Sequence, residues 1–95
     1  MKNNNYLWQK FYGEDEYNIQ TVDKKIHVKL SRRKKFKLIL YGINKKIWVY
    51  KVRFKSPKIA RKSFERIVGS KCKKTNDKRL FVAQSGSTGV AKINN

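Results

Sequence analysis

Three segments in the middle of the chain alternate apolar and polar residues, and this pattern constrains the fold more than any other feature. They are residues 26–30, 36–41 and 47–55, separated by the basic run 32–35 and by the Gly- and Asn-containing segment 42–46. Because successive side chains of a strand point to opposite faces of a sheet, the alternation predicts three β-strands with one apolar face. The short turns between them predict an antiparallel meander.

A helix is predicted directly after the third strand. Ser56 is a favourable N-cap, and Pro57 suits the first helical position because its missing N–H has no partner there. Gly69 fits the C-terminal cap. Apolar residues recur at helical spacing, namely Ala60, Phe64, Ile67 and Val68. This helix is expected to cover the apolar face, which gives an α+β fold of three to four antiparallel strands and one main helix.

The remaining segments give shorter signals. Residues 79–84 form an apolar run that predicts a fourth strand or a packed extension. Residues 6–12 fit a short amphipathic helix or turn, in which Trp8 is either a core residue or an exposed stacking residue. Polar, flexible ends are expected at about residues 1–5 and 85–95. With 95 residues, the chain is expected to form a single small domain.

Charge is distributed unevenly along the chain, whose formal net charge is +19. Residues 1–23 carry a net charge of −2, whereas residues 24–79 carry 22 basic residues against Glu65 and Asp77. A folded segment with this charge repels itself unless a polyanion neutralises it. We expect nucleic acid as that polyanion, with an acidic protein surface or an anionic membrane as alternatives. The acidic cluster 14–16 is either a solvated loop or a partner that restrains the basic body when no ligand is bound.

Few residues in the sequence support a catalytic or metal-binding function. Cys72 is the single cysteine, so neither a disulfide framework nor a cysteine-based zinc site is expected. His27 is the single histidine, and residues 23–25, Asp-Lys-Lys, have no second carboxylate on a recognisable neighbouring strand to complete a nuclease metal site. No segment has the character of a signal peptide or a membrane span. We therefore expect a cytoplasmic protein without catalytic activity, metal or cofactor.

Four basic surfaces are candidates for contact with nucleic acid, each with an ordinary solvated surface as the alternative. The first is the polar face of the predicted sheet, where a DNA groove can accept strands: Lys29, Lys37, Tyr41, Lys51 and Arg53. The second is a turn of four consecutive cations that suits phosphate contact: Arg32, Arg33, Lys34 and Lys35. The third is the outer face of the predicted helix, with Lys58, Arg61 and Lys62. The fourth is the basic segment 71–79.

Residues 35–67, KFKLILYGINKKIWVYKVRFKSPKIARKSFERI, resemble small DNA-binding domains in which a three-stranded antiparallel sheet precedes one helix. These are the arm-binding domains of tyrosine-recombinase integrases and the plant ethylene-response-factor type. Their step from strand to helix follows the pattern F-x-[S/T]-x-x-x-A, matched by Phe54, Ser56 and Ala60, although Ile59 stands where an acidic residue is usual. The resemblance implies that the sheet enters the major groove and that its exposed basic residues contact DNA, namely Lys29, Lys37, Lys51 and Arg53.

A second resemblance is to double-stranded-RNA-binding domains, which have an N-terminal helix, three strands and a final helix. Residues 56–62, SPKIARK, are similar to the basic start of that last helix, which implies phosphate contacts by Lys58, Arg61 and Lys62. We expect non-enzymatic binding of double-stranded DNA, in an accessory protein of a phage or mobile element. The alternatives are a double-stranded-RNA binder and a small basic inhibitor of a host protein or of a ribonucleoprotein such as an RNA-guided nuclease.

Overall fold

The structure is a computed structural model that describes residues 2–42 and 47–86. Six strands and two helices occur in these residues. In chain order they are β1 (Lys2–Trp8), β2 (Glu16–Thr21), α1 (Lys24–Ser31), β3 (Lys37–Gly42), β4 (Ile47–Arg53), α2 (Pro57–Val68), β5 (Lys73–Lys74) and β6 (Leu80–Gly86). The fold is α+β with an antiparallel sheet, as predicted, but it has more strands than expected and a second helix.

All six strands belong to one antiparallel sheet, in the order β3-β4-β2-β1-β6-β5. Leu7, Ile19 and Tyr50 are cross-strand neighbours on one face, and they pack in a single hydrophobic core with residues of both helices. We call this the helical face. The opposite face of the sheet is not covered by either helix, and we call it the open face.

Helix α2 forms as predicted. The hydroxyl oxygen of Ser56 accepts a hydrogen bond from the Ile59 N–H at 3.2 Å, which makes Ser56 the N-cap. Gly69 ends the helix with a φ of 89°, in the left-handed region that favours glycine. Phe64 is fully buried, and loss of such a side chain costs about 3–5 kcal/mol. The buried residues of α2 are those that the helical spacing predicts: Ala60, Phe64, Ile67 and Val68.

The prediction of a strand at residues 26–30 is wrong, because this segment lies in helix α1. Asp23 is the N-cap of α1, and its Oδ1 accepts a hydrogen bond from the Lys25 N–H at 2.9 Å. Ile26 and Leu30 are buried on one side of the helix. Residues four positions apart share a face both in a helix and in a strand, so a five-residue alternation cannot separate the two.

A buried polar network holds the N-terminal strand, which the sequence did not predict. Asn5 is fully buried, and its Nδ2 donates to the carbonyl oxygen of Ala83 at 3.0 Å and to Ser85 Oγ at 2.8 Å. Asn5 Oδ1 accepts a hydrogen bond from the Thr21 hydroxyl. Ser85 Oγ in turn donates to Asp23 Oδ2 at 2.7 Å. These bonds connect β1, β2 and β6 to the N-terminus of α1.

Where the structure describes the ends that were expected to be flexible, at residues 1–5 and 85–95, it shows strands. From Lys2 onwards the first segment belongs to β1, because Asn5 is anchored in the core. Residues 85–86 belong to β6, and residues 87–95 lie outside the described residues.

The structure also describes two further segments whose secondary structure was predicted from the sequence. Residues 6–8 lie in β1, where a helix or turn was expected, whereas a strand over residues 79–84 is confirmed by β6. Of the predicted turn at 42–46, Gly42 ends β3 and residues 43–46 are outside the described part.

Strand β3 lies at one edge of the sheet. Leu38 and Leu40, which were expected on the apolar face, have exposed fractions of 47 % and 54 %. Leu38 lies on the helical face, but the helices pack mainly on β1, β2 and β6, so β3 lies at the margin of the layer that they form. Leu40 lies on the open face. Within the part of the chain that the structure describes, neither helix is long and apolar enough to cross a membrane.

Candidate nucleic-acid interface

Two cross-strand rows of side chains run over the open face. The first row consists of directly paired residues on β3, β4, β2, β1 and β6: Lys37, Lys51, Asn18, Trp8 and Leu80. The second row runs beside it: Leu40, Val49, Gln20, Tyr6 and Val82. Neighbouring strands are about 4.8 Å apart, so each row extends over about 19 Å. The open face therefore changes from basic at β3 and β4 to aromatic at β1.

Four cations form what we call the basic end of the open face: Lys35, Lys37, Lys51 and Arg53. With Glu16 and Val52 they line a shallow concavity of about 320 Å³. Lys37 and Lys51 are directly opposite each other in the antiparallel register. Like charges in this position destabilise a sheet, and an anion between the two ammonium groups removes the repulsion.

Two carboxylates from the acidic cluster pair with the basic end. Arg53 Nη1 donates to both carboxylate oxygens of Asp15, at 3.1 and 3.2 Å. Lys51 Nζ lies 3.6 Å from Glu16 Oε2. Exposed pairs of this kind contribute about 0–1 kcal/mol each, so a phosphate group can replace them at small cost. Within the described residues Lys37 has no carboxylate partner.

The loop between α1 and β3 continues the basic end. Its four cations are all exposed: Arg32, Arg33, Lys34 and Lys35. The loop is held at both ends, because the Arg33 N–H donates to the Leu30 carbonyl and the Phe36 N–H donates to the Arg33 carbonyl, each at 3.1 Å. Lys35 Nζ lies 4.6 Å from the centre of the Phe54 ring. The loop therefore joins a helix to a strand, not two strands as predicted, and its last cation also lines the basic end.

At the other side of the open face is what we call the aromatic end: Tyr6, Trp8, Gln20 and Leu80. These residues line a concavity of about 630 Å³, whose lining also includes Gln9, Lys10, Asp77 and Arg79, which we call the rim. Tyr6, Trp8, Gln20 and Leu80 are half-buried. Within residues 2–42 and 47–86, the side chains of Tyr6, Trp8 and Gln20 make no hydrogen bond. Their polar groups are therefore open to a ligand from this side.

Arg79 is held in one orientation at the rim of the aromatic end. Its Nε and Nη2 donate to the Asp77 carboxylate at 3.1 and 3.0 Å, and its Nη1 donates to the Lys10 carbonyl at 2.9 Å. These side-chain hydrogen bonds lower the pKa of Asp77 and raise that of Arg79. Because Asp77 neutralises Arg79, the aromatic end offers ring surface and amide groups more than charge.

Two residues predicted on the basic sheet face lie on the other side of the sheet. Lys29 belongs to α1, and its Nζ donates to the Ile67 carbonyl at 3.1 Å, near the end of α2. Tyr41 pairs with the buried Trp48 on the helical face, with ring centres 6.0 Å apart. The cause is a shift of register on β3 between residues 38 and 40, which moves the residues beyond it to the opposite face.

The predicted helix surface is separated from the open face by the whole sheet. Lys58 and Lys62 are exposed on α2, and the guanidinium carbon of Arg61 lies 5.3 Å from the ring centre of Phe81. Arg61 also lines a concavity of about 400 Å³ together with two cations from the basic segment 71–79, Lys74 and Lys78. One duplex cannot contact this surface and the open face together.

His27 and Cys72 both contact neighbouring residues of the fold. The His27 ring stacks on Trp48 with centres 4.2 Å apart, its Nδ1 lies 2.8 Å from the Tyr50 hydroxyl, and burial lowers its pKa. Burial and the Glu65 carboxylate raise the pKa of the Cys72 thiol to about 11, so the thiol is protonated at neutral pH. Among the residues that the structure describes, no group of His, Cys, Asp and Glu side chains is arranged to hold a metal ion.

The aromatic end was missed by the sequence predictions. Tyr6 and Trp8 flank Leu7 in an apolar–aromatic alternation, but the three asparagines before them favour a frayed end. Asn18 and Gln20 alternate in the same way with Tyr17, Ile19 and Thr21 of β2, although Asn18 is itself buried. The alternation was present in both strands, and polar composition concealed it.

Comparisons of this chain with protein-family models, with curated proteins and with solved structures found no significant match. The resemblances drawn from the sequence stay predictions.

Proposed function

We propose that this protein binds nucleic acid through the open face of its sheet and the adjoining α1–β3 loop, without catalysing a reaction. The observation that carries this proposal is the direct opposition of Lys37 and Lys51 on neighbouring strands. In the free protein this arrangement is unfavourable, and it becomes favourable when a phosphate lies between the two side chains.

The surroundings of this lysine pair support the same function. The α1–β3 loop presents four consecutive exposed cations, Arg32 to Lys35, and Lys35 belongs to both the loop and the basic end. A backbone that contacts the pair can therefore continue along the loop. Contacts of this type set affinity and position, and they carry no sequence preference by themselves.

Duplex DNA, the ligand expected from the sequence, fits only one margin of this surface. The major groove is about 12 Å wide and admits a two-stranded ribbon. The open face extends over about 19 Å between β3 and β6, so a duplex would meet the paired strands β3 and β4 and not the whole face. In this arrangement the contacts come from the basic end and the loop, and Lys29, Lys58 and Lys62 take no part.

The exposed edge strand β3 favours a second candidate function, the protein-binding inhibitor. Leu38, Ile39 and Leu40 are each about half exposed, and within the described residues the outer edge of β3 has no strand partner. Such an edge can add a strand from another protein. A purified partner complex that survives nuclease treatment and is lost on Ile39→Lys would support this candidate.

Binding of the purified protein to duplex DNA, duplex RNA and single strands over a salt series tests the proposed function. Each phosphate neutralised by a cation contributes a slope of about −0.9 for duplex DNA and about −0.7 for a single strand in a plot of log K against log salt. We expect a steep decrease of affinity with salt. A flat salt dependence, or no binding to any of these ligands, would contradict the proposal.

A further inference from the structure

The aromatic end lies beside the basic end on the same face, although phosphate binding alone does not require it. Tyr6 and Trp8 are two positions apart on β1, so their side chains leave the sheet on one side, about 6.7 Å apart. Both rings are partly buried, and each keeps part of its surface exposed. The open face thus leaves two adjacent ring surfaces open to a ligand.

We propose that the aromatic end binds unpaired bases, so that the ligand of this protein is a single-stranded nucleic acid. In this proposal bases stack on Tyr6 and Trp8, while the phosphates of the same strand contact Lys37 and Lys51. The inference rests on the proposed function and specifies the form of its ligand.

The residues around the two rings suit a base. Trp8 lies between Asn18 and Leu80 in its row, and Tyr6 lies next to Gln20. Aromatic side chains stack on bases of any sequence, and amide side chains both donate to and accept from base edges. The concavity of about 630 Å³ is in the size range of ligand pockets. Asn18 is buried, with 7 % of its surface exposed, so the two rings provide a surface for the face of a base and the Gln20 amide provides a polar group for its edge.

The distance between the two ends also fits a single strand. Lys51 on β4 and Trp8 on β1 are separated by the width of two strand spacings, about 10 Å. A stacked single strand has one phosphate about every 3.4 Å, so roughly three to four nucleotides cover this distance. A strand that crosses the sheet along the first row can therefore use both ends at once.

A duplex cannot make the same contacts. Its bases are paired and stacked on each other, and only their edges reach the grooves. Tyr6 and Trp8 line a concavity near the middle of the sheet, and their ring faces cannot stack on the bases of an intact helix, because those bases are already stacked on each other. Unpaired bases are the nucleic-acid groups that can enter this concavity.

The two ends make different contributions, and this difference allows them to be tested separately. At the aromatic end Asp77 neutralises Arg79, which leaves Lys10 as the cation of the rim without a carboxylate partner in the described residues. Binding there depends on stacking and is nearly independent of salt. At the basic end binding depends on phosphate contacts and decreases with salt.

The test uses a fluorescently labelled oligothymidylate, an oligouridylate and a DNA duplex of matching length. We expect the single strands to bind more tightly than the duplex. Trp8→Ala and Tyr6→Ala are expected to weaken single-strand binding roughly tenfold to a hundredfold while leaving the salt slope unchanged. Trp8→Phe keeps a ring at the same place and is the matched control, expected to lose only a few-fold. Thermal unfolding of each variant shows whether it is folded.

Tryptophan fluorescence provides a second measurement. Trp48 is buried, with 6 % of its surface exposed, whereas Trp8 is partly exposed. Quenching by oligothymidylate in the wild type, absent in Trp8→Phe, supports stacking on Trp8. Equal affinity of the wild type and Trp8→Ala for single strands overturns this inference, and so does tighter binding of the duplex. In either case salt-dependent binding still supports the proposed function, whereas loss of all binding overturns both.

Discussion

Lys37 and Lys51 lie directly opposite each other on β3 and β4, with both side chains on the open face. Directly opposed like charges cost a sheet on the order of 0.2–1 kcal/mol relative to neutral residues. Lys51 has Glu16 as a partner at 3.6 Å, and Lys37 has no carboxylate partner within the described residues. The lysine pair therefore lowers the stability of the free sheet and favours the binding of an anion.

Replacing one lysine of this pair should increase stability and weaken binding at the same time. Lys37→Gln is expected to raise the free energy of unfolding by roughly 0.2–1 kcal/mol, because it removes the repulsion from Lys51. The same change should lower affinity for nucleic acid several-fold. Urea unfolding and binding titrations on one preparation measure both effects. A variant that is less stable than the wild type and binds equally well would show that the lysines have only a structural role.

Neutralising the carboxylates that pair with the basic end should increase affinity. In Asp15→Asn and Glu16→Gln, Arg53 and Lys51 lose the anions that compete with phosphate. We expect affinity to rise several-fold at low salt, with less than about 1 kcal/mol change in stability because the pairs are exposed. Glu14→Gln is the matched control, since Glu14 accepts a hydrogen bond from the Phe11 N–H and not from the basic end. Equal affinities for all three variants and the wild type would contradict competition by these carboxylates.

Stability should decrease on mild acidification because of His27. Burial lowers its pKa below the usual value of 6.5, so the unfolded chain binds a proton at a higher pH than the folded protein does. Stability therefore rises with pH wherever the unfolded state holds more protons, and the contribution is complete above pH 6.5 and lost as pH falls below it.

The measurement is urea unfolding of the wild type and His27→Gln between about pH 7.5 and about pH 5, where the carboxylates with ordinary pKa values stay ionised. His27→Gln should be less stable at the upper pH, since it loses stacking on Trp48, but its stability should depend less on pH. Tyr50→Phe removes the hydroxyl next to His27 Nδ1 without removing the titrating ring, and it should keep a decrease below pH 6.5. The same pH dependence in His27→Gln as in the wild type would assign the effect to another group.

Asn5 should be important for stability although it lies in a polar segment. Asn5→Ala removes the partner of the Ala83 carbonyl, Ser85 and Thr21, and buried groups left unpaired cost about 1–3 kcal/mol. Asn4→Ala is the control, because Asn4 is exposed and accepts only a long hydrogen bond, 3.3 Å, from Gln84. We expect a clear loss of stability in urea for the first variant and little change for the second. Similar values for both would contradict the role given to the network.

The sequence predicted the elements whose signals are local. Helix α2 has an N-cap, a first-position proline, a helical apolar face and a C-terminal glycine, and all of them agree. The strands β3 and β4 and the exposed cations of the loop 32–35 were also found. In each of these cases neighbouring residues carry the whole signal.

Features that depend on distant contacts could not be predicted in the same way. Asn5 makes β1 a central strand through bonds to residues near the other end of the described chain. Asp23 starts α1 where alternation suggested a strand. The register shift on β3 places Tyr41 and Lys37 on opposite faces, although the alternation of the strand predicted that both lie on one face. The open face, with Trp8 in one row with Lys51, follows from strand order and not from any local motif.

The most direct measurement compares two double variants that remove the same charge from opposite sides of the protein. Lys37→Gln/Lys51→Gln changes the open face, and Lys58→Gln/Lys62→Gln changes the exposed side of α2. Binding of a labelled oligothymidylate over a salt series should show a salt slope lower by about 1.4 for the first variant, at about 0.7 per lost contact, and little change for the second. Equal effects of the two variants, or a wild-type slope in the first, would contradict nucleic-acid binding by the open face.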